Sequence, residues 1–129
     1  MAEGQSPDIF MRAVDSDDLR DVEDNPEAVR FCIRLSETPS DIWVQEFEQG
    51  YRQTPYQIKP PVQVVGDALE IVFLPRYGSE LPGLARFLAL IVRRANIETR
   101  RTEEIHLSQT HEQQKAEFRQ ALHRLELPR

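Results

Sequence analysis

Histidine and cysteine, the residue types that most often bind zinc, are few in this chain and widely spaced. The three histidines, His106, His111 and His123, lie 5 and 12 residues apart, and neither spacing places two imidazoles on one helix face. A zinc site built on a helix uses pairs spaced by three or four residues. We therefore expect no metal and no other cofactor.

The single cysteine, Cys32, lies between Arg30 and Arg34 in a segment that alternates apolar and polar residues. A cysteine in such a pattern is more often a small, half-buried residue than a nucleophile. The sequence also contains no serine-hydrolase, zinc-protease or phosphate-loop motif. We assign no catalytic residue and expect a protein that is not an enzyme.

The charged pattern with the clearest spacing is an arginine stripe, which consists of Arg86, Arg93 and Arg100 at heptad intervals, flanked by Arg94 and Arg101. Along a helix these side chains follow one side, where they suit phosphates or an acidic protein surface. The simpler interpretation is a solvated face with the i,i+4 pairs Arg94–Glu98 and Arg100–Glu104. No aromatic residues are interleaved for base stacking, so nucleic-acid binding is the less favoured alternative.

Composition predicts one soluble domain. The chain has 129 residues, 40% of them hydrophobic, and a net charge of -6. Residues 1–75 carry 6 basic and 15 acidic side chains, net -9, whereas residues 76–129 carry 10 and 7, net +3. This asymmetry favours contacts with a basic partner or between copies. A lone cysteine and the lack of an apolar run long enough to span a membrane lead us to expect a cytoplasmic protein without membrane contact.

The first 26 residues are predicted to be an acidic, disordered tail, because "DSDDLRDVED" concentrates like charges. Within this tail "SPDIFMRAV" carries a possible helix start at Ser6 and Pro7 and an apolar face. That face makes a candidate partner-binding motif of Ile9, Phe10 and Val14.

Residues 27–105 are predicted to form an α+β core. The alternation of Val29, Phe31, Ile33 and Leu35 indicates a strand, and "TPSDIWVQEFEQGYRQ" indicates a helix capped by Thr38. Two further strands meet at a Gly66-Asp67 hairpin turn, with Gln63 opposite Glu70. The element order β-α-β-β-α resembles a ferredoxin-like unit without its last strand. We expect three strands in the order 2-3-1, with helices on one face and the edge of the first strand unpaired.

The remainder is predicted to be helical, either as one long helix or with a break near Ser108, where Thr110 and Gln113 form a potential capping box. From Leu84 onward the helix is apolar on nearly all sides, which one sheet face cannot cover. Residues 106–129 are expected to form a helical extension. The residues assigned to self-association, most simply as a homodimer, are Leu84, Leu88, Ile91, Phe118 and Leu122.

Together these patterns predict a non-catalytic interaction or assembly module that self-associates and binds a protein partner through its acidic tail or C-terminal helix. Binding of nucleic acid or a phosphorylated ligand through the arginine stripe is the alternative. The residues assigned to partner binding are Ile9, Phe10, Val14, Arg86, Arg93, Arg94, Arg100 and Arg101.

Overall fold

A computed structural model describes residues 7–128 and shows an α+β domain with the element order ββαββα. Its elements are β1 (Met11–Val22), β2 (Asn25–Leu35), α1 (Asp41–Gln53), β3 (Val62–Val65), β4 (Ala68–Phe73), a 3₁₀ segment (Pro75–Glu80) and α2 (Leu81–Arg124). The strands form one antiparallel sheet in the order β1-β2-β4-β3. The predicted class is confirmed, but the predicted count of three strands is wrong.

The three strands expected from the sequence are β2, β3 and β4, and their order in the sheet is the predicted one. The β3–β4 hairpin has the predicted register, with Gln63 opposite Glu70 and Val65 opposite Ala68. Gly66 occupies the turn at φ 59°, a left-handed conformation that favours glycine. Its role as a turn residue is therefore confirmed.

The fourth strand, β1, comes from the segment that was predicted to be a disordered tail. It pairs antiparallel with β2 and covers the edge that the prediction left open. Two outward-facing arginines of β2 meet carboxylates across the sheet: Arg34 lies 3.4 Å from Asp15, and Arg30 Nε lies 3.1 Å from Glu70, although not aligned for a hydrogen bond. The Arg34–Asp15 pair compensates part of the charge of the acidic segment, which the composition of that segment alone does not reveal.

The start of the N-terminal segment is fixed to α2 by one side chain. Asn96 Oδ1 accepts hydrogen bonds from Ile9 N at 2.9 Å and from Trp43 Nε1 at 2.8 Å, and Asn96 Nδ2 donates to Ile9 O at 2.8 Å. The Ile9 side chain is buried in the core, only 4% exposed. Ile9 is therefore part of the fold, which corrects its assignment to a partner-binding motif. Ser6 lies outside the described residues.

Helix α1 forms as predicted, apart from its cap. Ser40, not Thr38, is the N-cap, and its hydroxyl accepts from Trp43 N at 3.2 Å. Trp43, Phe47 and Tyr51 lie on one face as the four-residue spacing indicates, and their rings stack at centroid distances of 5.2 and 6.2 Å. The helix ends at Gln53, ahead of Pro55, as the sequence predicts.

The core lies between one face of the sheet and the two helices. Leu88 and Ile91 of α2 are completely buried, and Leu84 is 2% exposed. These three residues pack against the sheet and α1 of their own chain, so they are not available for self-association in the folded protein. Ile9, and Met11 at the start of β1, supply part of the cover that the sequence led us to expect from a second copy.

Helix α2 is continuous over 44 residues, about 66 Å at the standard rise, and has no break near Ser108. Thr110 does not cap a new helix. Its hydroxyl donates to His106 O, one turn earlier, at 2.9 Å. The division of the chain into a core and an extension at residue 106 stays a prediction. Helix α2 itself crosses this position without interruption. Within residues 7–128 no helix is both long and apolar enough to cross a membrane.

We predict that Asn96→Leu lowers the free energy of unfolding by about 2–4 kcal/mol, because two donors and one carbonyl lose their partner in a partly buried site. Chemical denaturation measures this loss, and amide exchange at Ile9 should accelerate in parallel. Gln109→Leu, an amide-to-leucine change on the exposed part of the same helix, is the control. Equal stability of the two variants would contradict the anchoring role of Asn96.

A second prediction concerns alkaline pH. Burial raises the pKa of Tyr51 from 10.0 to about 12, and its hydroxyl donates to Pro60 O. Between these two values the unfolded chain loses the phenolic proton while the folded chain keeps it, so stability falls as pH rises from about 10 to about 12. Unfolding measured across this range should show a weaker pH dependence in Tyr51→Phe. An unchanged dependence in that variant would exclude Tyr51 as its source.

Candidate functional site

The C-terminal half of α2 projects beyond the body of the domain. We call residues 104–124 the arm, and all of them are exposed. The buried stripe of α2 ends at Thr99, and the positions that would continue it carry polar residues such as Thr102, His106 and Gln113. Apart from Ile105, which is 52% exposed at the edge of this continuation, α2 presents few apolar residues for the core to bury beyond Thr99, and the helix runs on into solvent.

The arm nevertheless has an apolar side of its own. At 100° per residue, Leu107, Phe118 and Leu125 lie within about 20° of one another, and Leu122 lies about 40° from Phe118. The exposed fraction is 51% for Leu107, 65% for Phe118, 53% for Leu122 and 61% for Leu125. Phe118 and Leu122 were assigned from the sequence. Leu107 was missed, although its separation from Phe118, three helical turns, was a usable signal.

The arginine stripe continues into this apolar side, because Leu107 is the next heptad position after Arg86, Arg93 and Arg100. Arg100 forms an ion pair with Asp8 of the N-terminal segment, whereas the i,i+4 spacing suggested Glu104 as its partner. Arg86 and Arg93 form no ion pair with any residue between 7 and 128. The stripe is therefore partly neutralised by the chain's own N-terminal segment.

The flanking arginines make other contacts than predicted. Arg94 Nη1 donates to Thr54 Oγ1 at 3.1 Å, so the predicted pair with Glu98 does not form. Glu98 instead contacts Arg101 at 3.2 Å. Around the helix Arg94 and Arg101 lie about 100° and 80° from Arg93, and Arg94 lines a separate cavity together with Glu46 and Glu98.

The N-terminal segment and α2 enclose an open groove of about 400 Å³. It is lined by residues of the N-terminal segment, Asp8, Ile9, Phe10 and Met11, and of α2, Ala89, Val92, Arg93 and Asn96. The Phe10 side chain is 61% exposed, and its backbone is held by Ser36 through bonds of 3.1 and 2.8 Å. The structure thus brings together Ile9, Phe10 and Arg93 from the predicted set. Val14 is exposed on β1, outside the groove.

A smaller cavity of about 190 Å³ lies at the N-terminal end of α1, lined by Trp43, Thr99 and Arg100 among others. Two carboxylates, Asp8 and Glu37, also line it and outnumber its single arginine. The buried hydroxyl of Thr99 has no hydrogen-bond partner among residues 7–128. This surplus of acid groups is unfavourable for binding an anion.

The thiol of Cys32 is not activated as a nucleophile. Cys32 is buried on the outer sheet face, with Sγ 3.8 Å from Asp18 Oδ2. Burial, followed by the charges of Asp18 and Glu70, raises the pKa of the thiol and keeps it protonated at neutral pH. Residues 7–128 contain no group of three or more histidine, cysteine or acidic side chains placed to hold a metal ion.

Comparisons of the chain with protein-family models, with curated proteins and with solved structures find no match.

We predict that Thr99→Val raises the free energy of unfolding by about 0.5–1.5 kcal/mol, because it removes a buried hydroxyl without a partner and keeps the side-chain shape. Thr99→Ser is the control, since it keeps the hydroxyl and should cost about 1 kcal/mol for the lost methyl group. Chemical denaturation compares the two. A less stable valine variant would show that the hydroxyl has a partner in solution.

Proposed function

We propose that this protein is a non-catalytic assembly module that associates through the arm. One observation carries the proposal: the arm is exposed on all sides, yet it presents Leu107, Phe118 and Leu122 along one side, with Leu125 just beyond its end. An exposed apolar side of a helix is typical of a surface that packs against another helix. The occupant we propose is a second copy of the chain.

The energetics support association of two copies. Each leucine or phenylalanine contributes about 1.5–3 kcal/mol when it is fully buried, and a dimer places eight such side chains at the interface. Association itself costs about 4–15 kcal/mol in lost freedom of motion. Even partial burial of these eight side chains contributes a free energy large enough to offset that cost.

The folded body prepares the arm for this role. An isolated helix of this length is marginal in water, chiefly because its first turn is costly to form. In this chain the packed half of α2 supplies that nucleus, and the arm extends from it. A preformed helix loses less conformational freedom on pairing than a disordered segment would, which favours association.

The acidic segment contributes less to the proposed partner binding than the sequence alone indicated. Met11–Val22 forms β1, so its backbone is not a free linear motif. Phe10 and Val14 remain exposed, and Phe10 borders the groove. The arm and the groove are therefore the surfaces to which we assign protein contacts. We also retain the cytoplasmic location, for which the free, buried Cys32 is the support.

Binding of nucleic acid or a phosphorylated ligand through the arginine stripe is the second candidate. Arg86 and Arg93, which have no ion-pair partner among residues 7–128, are the observation in its favour. Against it, Arg100 is paired with Asp8 and the chain carries a net charge of -6. Two unpaired arginines on an acidic protein make a weak polyanion site, so protein association is the better supported function.

We predict that the intact chain forms dimers at micromolar concentration and that Phe118→Glu with Leu122→Glu weakens the dimer at least about 100-fold. The reason is that two apolar contacts on each copy become charged. The matched control, Gln113→Glu with Gln120→Glu, adds the same charge on the opposite side of the arm and should leave association nearly unchanged. Sedimentation equilibrium gives the constants, and circular dichroism checks helicity.

An intact chain that stays monomeric at high micromolar concentration would contradict the proposal. Equal weakening by the control pair would contradict the assignment of the apolar side, because it would show an effect of charge alone.

A further inference from the structure

We propose that the two copies pair in antiparallel orientation, with Leu107 of each copy against Phe118 of the other, and that the segment after each arm docks in the groove of the other copy. This inference rests on the proposed function and adds its geometry and a second contact site. It follows from the spacing of residues along α2 and from the position of the groove on the same side of that helix.

The arm is self-complementary about one point. In a two-fold antiparallel pair, residues at equal distances from the centre face one another. With the centre between Glu112 and Gln113, Leu107 faces Phe118 and His111 faces Gln114. This register makes two Leu107–Phe118 pairs, one on each side of the centre, and places Leu122 beside Glu103 of the other copy.

The parallel alternative is unfavourable for two reasons. It would place each Arg93 and each Arg100 beside the same residue of the other copy, and it would set His111 against His111. It would also bring the two folded bodies to the same end of the helix pair, where they compete for space. The antiparallel pair separates the bodies, because each lies at the tip of the other copy's arm.

The same register extends to the groove. It brings Leu125 of the second copy to the level of Arg100 and directs the segment that follows toward Arg93. Leu125 is the C-cap of α2 in an extended conformation, so the chain leaves the helix at this point. Leu127 is 79% exposed, more than any other large apolar residue of the described chain. Phe10 and Ala89 of the groove offer it an apolar surface.

Charge complementarity supports this placement. Arg93 lines the groove and has no ion pair within residues 7–128, and Glu126 likewise has none there. In the antiparallel register Glu126 of one copy lies about 3.5 Å past the level of Arg100 and Arg93 lies about 10.5 Å past it, so the two side chains extend toward one another to pair. The occupant of the groove is therefore the 125–128 segment of the second copy, which contains both Glu126 and Leu127.

Cysteine cross-linking tests the orientation in a Cys32→Ala background. Chains carrying Leu107→Cys and chains carrying Phe118→Cys should form disulfides with each other on mixing, whereas neither should do so alone. In the antiparallel pair two equivalent cysteines lie roughly 16 Å apart along the axis, too far for a disulfide. Cross-linking of each variant with itself, and not in the mixture, would establish the parallel pair and overturn this inference.

The failures are distinguishable by measuring the mass of each variant in solution. A monomeric chain would contradict the proposed function itself. A dimer that forms no disulfide in the mixture would overturn only the antiparallel register and leave association through the arm standing.

A charge exchange tests the groove. Arg93→Glu should raise the dissociation constant of the dimer about 3- to 10-fold, and adding Glu126→Arg to the same chain should restore it. Arg86→Glu, which makes the same change outside the groove, is the control. A failure of Glu126→Arg to restore the dimer, or an equal effect of Arg86→Glu, would overturn docking of this segment.

Discussion

The Asn96 side chain is the contact on which the rest of the arrangement depends. Its amide binds both backbone groups of Ile9 and the Trp43 indole, and so joins the N-terminal segment, α1 and α2 at one point. With Ile9 held there, the chain continues directly into β1 along the open edge of β2. Asn96 thus fixes the start of the N-terminal segment against α2, where Phe10 and Arg93 line the same groove.

Helix α2 divides into two halves with different surroundings. Up to Thr99 its apolar residues face the sheet and α1, and they form much of the core. Beyond Thr99 the residues that would face the body are polar, so burial gives the helix no reason to stay against the domain. The hydrophobic effect holds the first half against the core. Backbone hydrogen bonds continue the second half into solvent as a helix.

The side of α2 that carries the arginine stripe also carries Leu107, since both follow the same heptad spacing. Arginines alone along a helix suggest a surface that binds polyanions. Arginines followed by apolar residues suggest a surface that packs against another helix, one whose surface changes from acidic to apolar along its length. The exposed segment after the arm supplies both an acid group, Glu126, and an apolar one, Leu127. These complementary features support our proposal that the partner is a second copy of the chain.

Local patterns in the sequence determined much of the fold. Alternation gave β2, the Gly66 turn gave the β3–β4 register, and the four-residue spacing of Trp43, Phe47 and Tyr51 gave α1, because each depends on neighbours close in the chain. Phe118 and Leu122 were also recognisable as an apolar side. Only the tertiary structure determined that the acidic segment forms β1 and that Leu84, Leu88 and Ile91 are buried within their own chain. Those outcomes depend on contacts that form only when the chain is folded: Asn96 binds Ile9, 87 residues earlier in the sequence, and Arg34 pairs with Asp15 across the sheet.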